Sequence, residues 1–195
     1  LMVEQLLIVM VGMVDTIMIS PCGEAAVSGI SLVDSINVLL TGMFSALATG
    51  GAVVAAQYLG HKEGDRACRA ADQLLLSVLA VSGILVVVSL IGNYGILRII
   101  YRKIDADVMG NARIYFYLSA VSYPFLAVYS AGTALFRAMG DSKISMKTSI
   151  VMNAINIAGN AVLLYIFELG VFGAALATLV SRIVAAVVVT KLLVD

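Results

Sequence analysis

The sequence predicts an all-α integral membrane protein, folded as a bundle of six transmembrane helices. Of its 195 residues, 62% are hydrophobic and only 12% are charged, whereas soluble domains carry about 25% charged residues. The apolar residues are gathered into six runs, each long enough to cross the roughly 30 Å hydrocarbon core as a helix. Short polar segments separate most of these runs, which favours a compact bundle. The predicted spans are residues 1–20, 29–57, 67–92, 111–136, 144–167 and 172–193.

The first run carries two carboxylates, Glu4 and Asp15. They are eleven positions apart, or about 20° on a helical wheel, so both face the same side. A carboxylate near the middle of a membrane helix costs about 2.5–3.5 kcal/mol to insert and is seldom present without a function. Asp15 is therefore a candidate proton or cation site. The structural alternative is an interfacial residue that extends toward the lipid headgroups. Pro21 and Gly23 then mark a turn.

One face of the second run carries a polar stripe at helical spacing. We expect these residues to line a cleft, although Asp34, near the end of its helix, equally suits a position facing solvent. The third run, by contrast, has few polar residues after Asp72, which predicts a lipid-facing helix. The stripe consists of Asp34, Asn37, Thr41 and Ser45.

The longest break in the pattern is residues 93–110, which contain several charged side chains among Ile and Tyr. This composition predicts a short helix lying in the membrane interface. The fourth run then carries serines and a threonine on one face, with Pro124 near its middle. A proline there removes a backbone hydrogen bond and usually bends the helix.

The fifth run carries the strongest polar pattern of the chain. Four residues fall within about 60° of one another on an otherwise apolar helix. Unpaired amides in hydrocarbon cost several kcal/mol, so the stripe requires partners inside the protein or a wet cavity. A single Asn often only packs helices together, but three on one stripe exceed that need. The stripe is Ser149, Asn153, Asn156 and Asn160.

Amide oxygens are suitable neutral ligands for Na⁺, or hydrogen-bond partners for a titrating carboxyl. Thr178 in the sixth run adds a hydroxyl, on a helix whose small residues allow close approach of its neighbours. Asn153 is expected to line the cleft together with the stripe of the second run. Arg182 lies about two turns from its predicted helix end, so its side chain is expected to extend to the inner membrane surface.

The basic residues predict the orientation of the bundle. If the first helix runs from inside to outside, seven Lys and Arg residues lie on the inside and four on the outside, as the positive-inside rule requires. Cys22 then lies outside and Cys68 inside, which argues against a disulfide between them.

Several classes of protein are disfavoured. The 12 basic and 12 acidic residues balance, which argues against a nucleic-acid-binding protein. His61 has no partners at metal-ligand spacing, so a zinc site is not expected. Catalytic triads, phosphate-binding glycine loops and Cys-X-X-Cys motifs are absent from the sequence, so we predict neither an enzyme nor a cofactor. A Na⁺ ion at the cation site is the one metal that we expect.

Four segments occur in an order found in a known transporter family. They are Met13-Val-Asp15-Thr-Ile, Gln57-Tyr-Leu-Gly60, Leu135-Phe-Arg137-Ala-Met-Gly140-Asp141-Ser-Lys143, and Asn156-Ile-Ala-Gly-Asn160 followed by Gly170-Val-Phe-Gly173-Ala-Ala-Leu-Ala-Thr178. In these segments the chain resembles the amino-terminal half of a multidrug and toxic compound extrusion (MATE) transporter. The resemblance covers almost the whole chain.

The resemblance implies twelve helices in two six-helix lobes, of which this chain is the first. The sequence starts with Leu inside an apolar run, so we expect a fragment truncated at both ends, without the carboxy-terminal lobe. A multi-pass protein of the plasma membrane is implied, which exports amphipathic, often cationic, drug-like compounds in exchange for Na⁺ or H⁺. By position, its cation site is Asp15, Asn156, Asn160 and Thr178. Some family members have Asp where this chain has Asn160, which leaves the choice of ion open.

Two other functions stay open. A lipid-linked oligosaccharide flippase of the same superfamily is favoured by a cationic cleft, whereas the stripes in this sequence are neutral or acidic. A non-transporting membrane scaffold uses its polar stripes only to pack helices.

Overall fold

The computed structural model describes residue 14, residues 16–101 and residues 105–194. Within these ranges the chain forms five long helices and no strand, which confirms the predicted all-α membrane bundle. By length and composition, all five are able to cross a membrane, and they correspond to the second to sixth predicted spans. The helices are α1 (Glu24–Gly60), α2 (Gly64–Ile100), α3 (Ala106–Ala138), α4 (Ser142–Ala161) and α5 (Gly170–Val194).

Two short elements modify the ends of these helices. A 3₁₀ turn, Ser20–Cys22, precedes α1 and contains Pro21 at its start. A π-helical turn, Val162–Ile166, continues α4. Turns of this kind are rare and are often found at functional sites.

The prediction of a separate interfacial helix in residues 93–110 is wrong. Instead, α2 continues to Ile100 and α3 begins at Ala106. Both α1 and α2 contain 37 residues, which at 1.5 Å per residue is about 56 Å, well beyond the roughly 30 Å of hydrocarbon. Charged residues such as Arg98 and Asp107 therefore lie on helix ends that extend past the apolar core.

The central element of the bundle is α3. It packs extensively against α1, α2 and α5, and its span is the most buried of the five. Small residues make these contacts close: a Cβ added to Gly29 of α1 would lie 2.9 Å from the backbone N of Ala112 in α3. Gly132 of α3 lies directly against Val189 of α5.

A furrow lies between α1 and α5. Both helices pack on α3, but they make few contacts with each other. The middle of α3, which is largely buried, is the floor of this furrow, and α1 and α5 are its walls. On the other side of α5, the helix α4 packs mainly against α5 and only slightly against α3.

Candidate functional site

Two asparagines of α4 and a threonine of α5 form a hydrogen-bonded group, which we call the amide cluster: Asn156, Asn160 and Thr178. Asn160 Nδ2 donates to Asn156 Oδ1 at 3.4 Å, and Asn156 Nδ2 donates to Thr178 Oγ1 at 3.2 Å. Thr178 Oγ1 in turn donates to the backbone oxygen of Ala174 at 3.0 Å. The two asparagines are buried. Three of the four residues predicted for the cation site are therefore neighbours.

The local sequence explains this arrangement. Asn156 and Asn160 are one helical turn apart, so both side chains leave the same face of α4. Between them, Gly159 lies so near α5 that an added Cβ would be 3.0 Å from the Cβ of Ala177. This close approach lets a short asparagine side chain reach Thr178 on the neighbouring helix.

Asp15, the fourth predicted residue, lies outside the described residues, as does Glu4. The assignment of Asp15 to the cation site stays a prediction. The chain just after it is described: the Tyr165 hydroxyl, in the π-helical turn, donates to the backbone oxygen of Met18 at 3.2 Å. Met18 therefore contacts the π-helical turn that follows α4.

The chemistry of the amide cluster is that of neutral oxygen donors. An amide oxygen has two lone pairs, so an oxygen of this kind is able to accept a hydrogen bond and to ligate a cation at the same time. Oxygen ligands of this kind suit hard cations. Among the described residues, no group of three or more His, Cys, Asp or Glu side chains is arranged to hold a metal.

The residues predicted to line a cleft occupy different environments. Asn153 of α4 is half-buried, and its Nδ2 has no hydrogen-bond partner among the described residues. Thr41 donates to the backbone oxygen of Asn37 at 2.7 Å, within its own helix. Asn37 is buried between α1 and α3: it accepts from the Tyr123 hydroxyl at 3.2 Å and donates to Asp34 Oδ1 at 3.3 Å. Asp34 itself is exposed.

The prediction for Arg182 is wrong, because its side chain does not extend to the membrane surface. Arg182 lies at the middle of α5, and its Nη1 donates to Ser122 Oγ of α3 at 2.6 Å. Ser122 is fully buried, and its hydroxyl donates to the backbone oxygen of Ser119 at 2.6 Å. A buried hydroxyl acceptor on α3 lies within reach of the guanidinium, which therefore binds inside the bundle. The sequence held one signal for this, since Arg182 is one turn from Thr178 on the same face of α5.

Arg182 and Asp34 face each other across the furrow between α1 and α5. We call this part of it the central furrow; its walls carry Asp34 and Arg182, and its floor carries Tyr115, Ser122 and Tyr123. The Tyr115 hydroxyl is within hydrogen-bonding reach of the Asp34 carboxylate, and the charges of Asp34 and Arg182 act on one another. The two side chains do not form a direct ion pair, in contrast to Arg66 and Glu63, whose charged atoms are 2.9 Å apart. Sequence reasoning missed this opposition of charges.

Comparison with protein families gives a match to the family described as MatE, over residues 1–162. Among curated proteins, the chain is 32% identical over 167 residues to the "Probable multidrug resistance protein YoeA" of Bacillus subtilis, covering 83% of this chain and 35% of that protein. It is 25% identical over 186 residues to the "Multidrug export protein MepA" of Staphylococcus saprophyticus, covering 95% of this chain and 41% of that protein. The chain thus spans about two fifths of the length of these relatives.

Solved structures share the fold. An outward-facing multidrug resistance MATE family transporter of the MOP superfamily superposes with a TM-score of 0.91 at 20% identity, covering 98% of this chain and 42% of that one. The corresponding inward-facing structure gives a TM-score of 0.88 at 20% identity, covering 94% and 41%. One lobe of a two-lobed transporter is the fold that these likenesses identify.

Proposed function

Because the chain belongs to the MatE family, we propose that it forms one lobe of a secondary active multidrug efflux antiporter, which exports amphipathic, often cationic, organic compounds in exchange for Na⁺ or H⁺. The family consists of transporters, and with its apolar spans the chain is part of a multi-pass plasma membrane protein. Relatives named for multidrug resistance and export support the substrate class. We propose that transport requires a second lobe, which completes the cleft that this lobe begins.

The amide cluster is the observation that carries this proposal. Buried amide and hydroxyl oxygens on two tightly packed helices suit a desolvated cation, and Asn156 connects the helices directly through Thr178. We propose that Asp15 supplies the negative charge and that the cluster supplies neutral oxygens for Na⁺. If the ion is H⁺, the same oxygens accept a hydrogen bond from the protonated carboxyl.

Coupling follows from the cost of the charge. An ionised carboxylate among apolar helices is unfavourable, and binding of Na⁺ or H⁺ neutralises it. An ion that binds more tightly in one arrangement of the helices biases the lobe toward that arrangement. Alternating access in transporters of this size is largely movement of one lobe against the other around the binding site. We propose no cofactor other than the coupling ion, and no catalytic residue.

Arg182 lends some support to the flippase alternative, because it places a cation in the central furrow. A lipid-linked substrate carries a diphosphate, which requires several positive charges. In the described part of the furrow a single guanidinium faces a carboxylate, so the antiporter is the function we prefer. The scaffold alternative predicts that the amide cluster serves packing only.

The test is gradient-driven export of a fluorescent cationic dye by the complete gene product containing this segment, reconstituted in vesicles. Wild type is compared with Asp15→Asn, with Thr178→Val, and with the control Asp107→Asn, which removes an exposed carboxylate on α3. We expect export that follows an imposed Na⁺ or H⁺ gradient, is lost in Asp15→Asn and persists in Asp107→Asn.

Thr178→Val keeps the shape of the side chain but removes the hydroxyl of the amide cluster. If Na⁺ is the ion, this variant needs a higher Na⁺ concentration for half-maximal export. Export that ignores both gradients and both site substitutions, in variants that express normally, would contradict the antiporter. A loss of folding in Asp15→Asn and Thr178→Val alike, with no export by wild type, would favour the scaffold.

A further inference from the structure

We propose that the central furrow binds a zwitterionic compound, with a carboxylate of the ligand on Arg182 and its amine on Asp34, so that Arg182 selects carboxylate-bearing substrates. This inference rests on the proposed transport function and specifies the substrate class at one part of the cleft. It concerns residues one turn or more away from the amide cluster.

The first observation is the unused capacity of Arg182. A guanidinium has five N–H donors, and among the described residues Ser122 is the one acceptor to which it donates. The side chain is half-buried at the middle of α5, far from the water beyond the helix ends. Unpaired charged donors at such a depth are costly. A carboxylate satisfies two of them at once, because it fits the planar fork of an arginine in a bidentate manner.

The second observation is the state of Asp34. Its carboxylate accepts from the amide of Asn37 at 3.3 Å and lies within reach of the Tyr115 hydroxyl. Both donors are neutral, so neither supplies a positive charge. A carboxylate has about four acceptor positions, and the exposure of Asp34 leaves some of them open to the furrow. An ammonium group of a ligand is the partner that this arrangement lacks.

The third observation is the matching depth of the two charges. Asp34 is ten residues from the first residue of α1, and Arg182 is twelve residues from the first residue of α5. These distances correspond to about 15 Å and about 18 Å along the helices. Since the helices alternate in direction, α1 and α5 begin at the same end of the bundle. The opposite charges therefore lie at nearly the same level on the two walls of the furrow.

The two charges are held apart rather than paired. Arg182 is anchored to the floor through Ser122, while Asp34 is tied to the floor through Asn37 and its bond from Tyr123. A ligand that carries both signs of charge neutralises both residues. A purely cationic ligand gains from Asp34 but is repelled by Arg182, and a site built this way discriminates by repulsion as well as attraction.

The test uses a pair of dyes that differ in one group: a rhodamine with a free carboxyl group on its phenyl ring, and the methyl ester of the same dye. Both carry the same cationic ring system, but only the acid carries an anion. Binding is measured by fluorescence polarisation with the purified complete gene product in detergent, without any ion gradient. The variants are Arg182→Gln, Arg182→Lys and the control Arg113→Gln, an exposed arginine whose guanidinium lies 5.5 Å from the ring centroid of Tyr94.

In Arg182→Gln we expect the acid to bind at least about tenfold more weakly, the usual loss for a hydrogen bond to a charged group. The ester should bind with equal or higher affinity, because a repulsive charge is gone. Arg182→Lys keeps the charge but not the fork, so its preference for the acid should be intermediate. Arg113→Gln should keep the wild-type ratio of the two affinities.

Equal changes for both dyes in a folded Arg182→Gln protein would overturn the inference. If that variant does not fold, Arg182→Lys decides, and a lysine variant with the wild-type ratio of affinities would overturn it too. Because binding is measured without a gradient, an antiporter that fails in vesicles while the Arg182-dependent dye preference persists would separate the two proposals. Gradient-driven export without an Arg182-dependent preference for the acid would support the antiporter and overturn the carboxylate site.

Discussion

The substitution Asn160→Asp tests the amide cluster by adding a charge to it without changing its shape. Asn160 is 1% exposed, and its Nδ2 donates to Asn156 Oδ1 at 3.4 Å. In the variant, a carboxylate oxygen faces that same oxygen. The cluster therefore loses a donor and gains a negative charge in a buried position, which a bound cation is able to neutralise.

The magnitude follows from the geometry. Without a cation, the lost hydrogen bond costs about 1 kcal/mol, and burying the carboxylate costs several kcal/mol more. A Na⁺ ion about 4 Å from the new charge gains about 4 kcal/mol at an effective dielectric constant near 20. Even half of that gain corresponds to roughly 30-fold tighter Na⁺ binding.

The assay is thermal unfolding of the purified complete protein, titrated with NaCl against KCl at constant ionic strength. A ligand that binds only the folded state stabilises it by RT ln(1 + [L]/Kd), so the rise of the unfolding midpoint with Na⁺ concentration yields a Na⁺ affinity. The control is Asn153→Asp, which adds the same charge to the same helix two turns away, at a half-buried position. We expect a steep Na⁺ dependence in Asn160→Asp and the wild-type dependence in Asn153→Asp.

A folded Asn160→Asp protein whose unfolding midpoint is the same in Na⁺ and K⁺ would refute the assignment of the amide cluster to a Na⁺ site. A midpoint that instead rises only as the pH falls would identify a proton site, because protonation removes the buried charge in the same way as a metal ion.

Two further predictions concern packing and topology. Gly159→Val places a branched side chain where even a Cβ would lie 3.0 Å from that of Ala177, and overpacking of this kind costs about 1–3 kcal/mol. Thermal unfolding should show the loss, whereas Gly50→Val, which has no described atom within 4 Å of the new Cβ, should change stability little. Cys22 and Cys68 are both exposed and lie near opposite ends of α1. A membrane-impermeant maleimide added to intact cells should label Cys22 and leave Cys68 unlabelled, and the reverse pattern would invert the predicted orientation.

The amide cluster was largely predictable from sequence because its geometry is local. Asn156 and Asn160 share a face by helical periodicity alone, and a small residue at position 159 indicates close packing. Which hydroxyl they meet on the next helix depends on register, but short connections limit the choices, and Thr178 is the partner that the structure supplies.

The environment of Arg182 was not predictable by the same reasoning. Its distance from the helix end favoured a side chain that extends to the membrane surface, since the cost of leaving an arginine in the apolar core depends on its depth along the helix. The competing acceptor, Ser122, is sixty residues earlier in the chain, and only the packing of α5 on α3 brings the two together. The prediction of an interfacial helix in residues 93–110 was wrong for a related reason. A helix that is longer than the bilayer is thick carries charged residues on its ends, so the charges did not mark where the helix stops.

The central position of α3 has a consequence for how the protein is made. Of the five described spans it is the least apolar and also the most buried. Because a translocon releases helices into lipid according to their hydrophobicity, the insertion of α3 is the least favourable of the five. Its buried Tyr123 has a hydrogen-bond partner on α1 and its buried Ser122 has one on α5, and α5 is synthesised later. We therefore expect α3 to be the last of the early helices to commit to the bilayer, held beside its neighbours until α5 emerges from the ribosome.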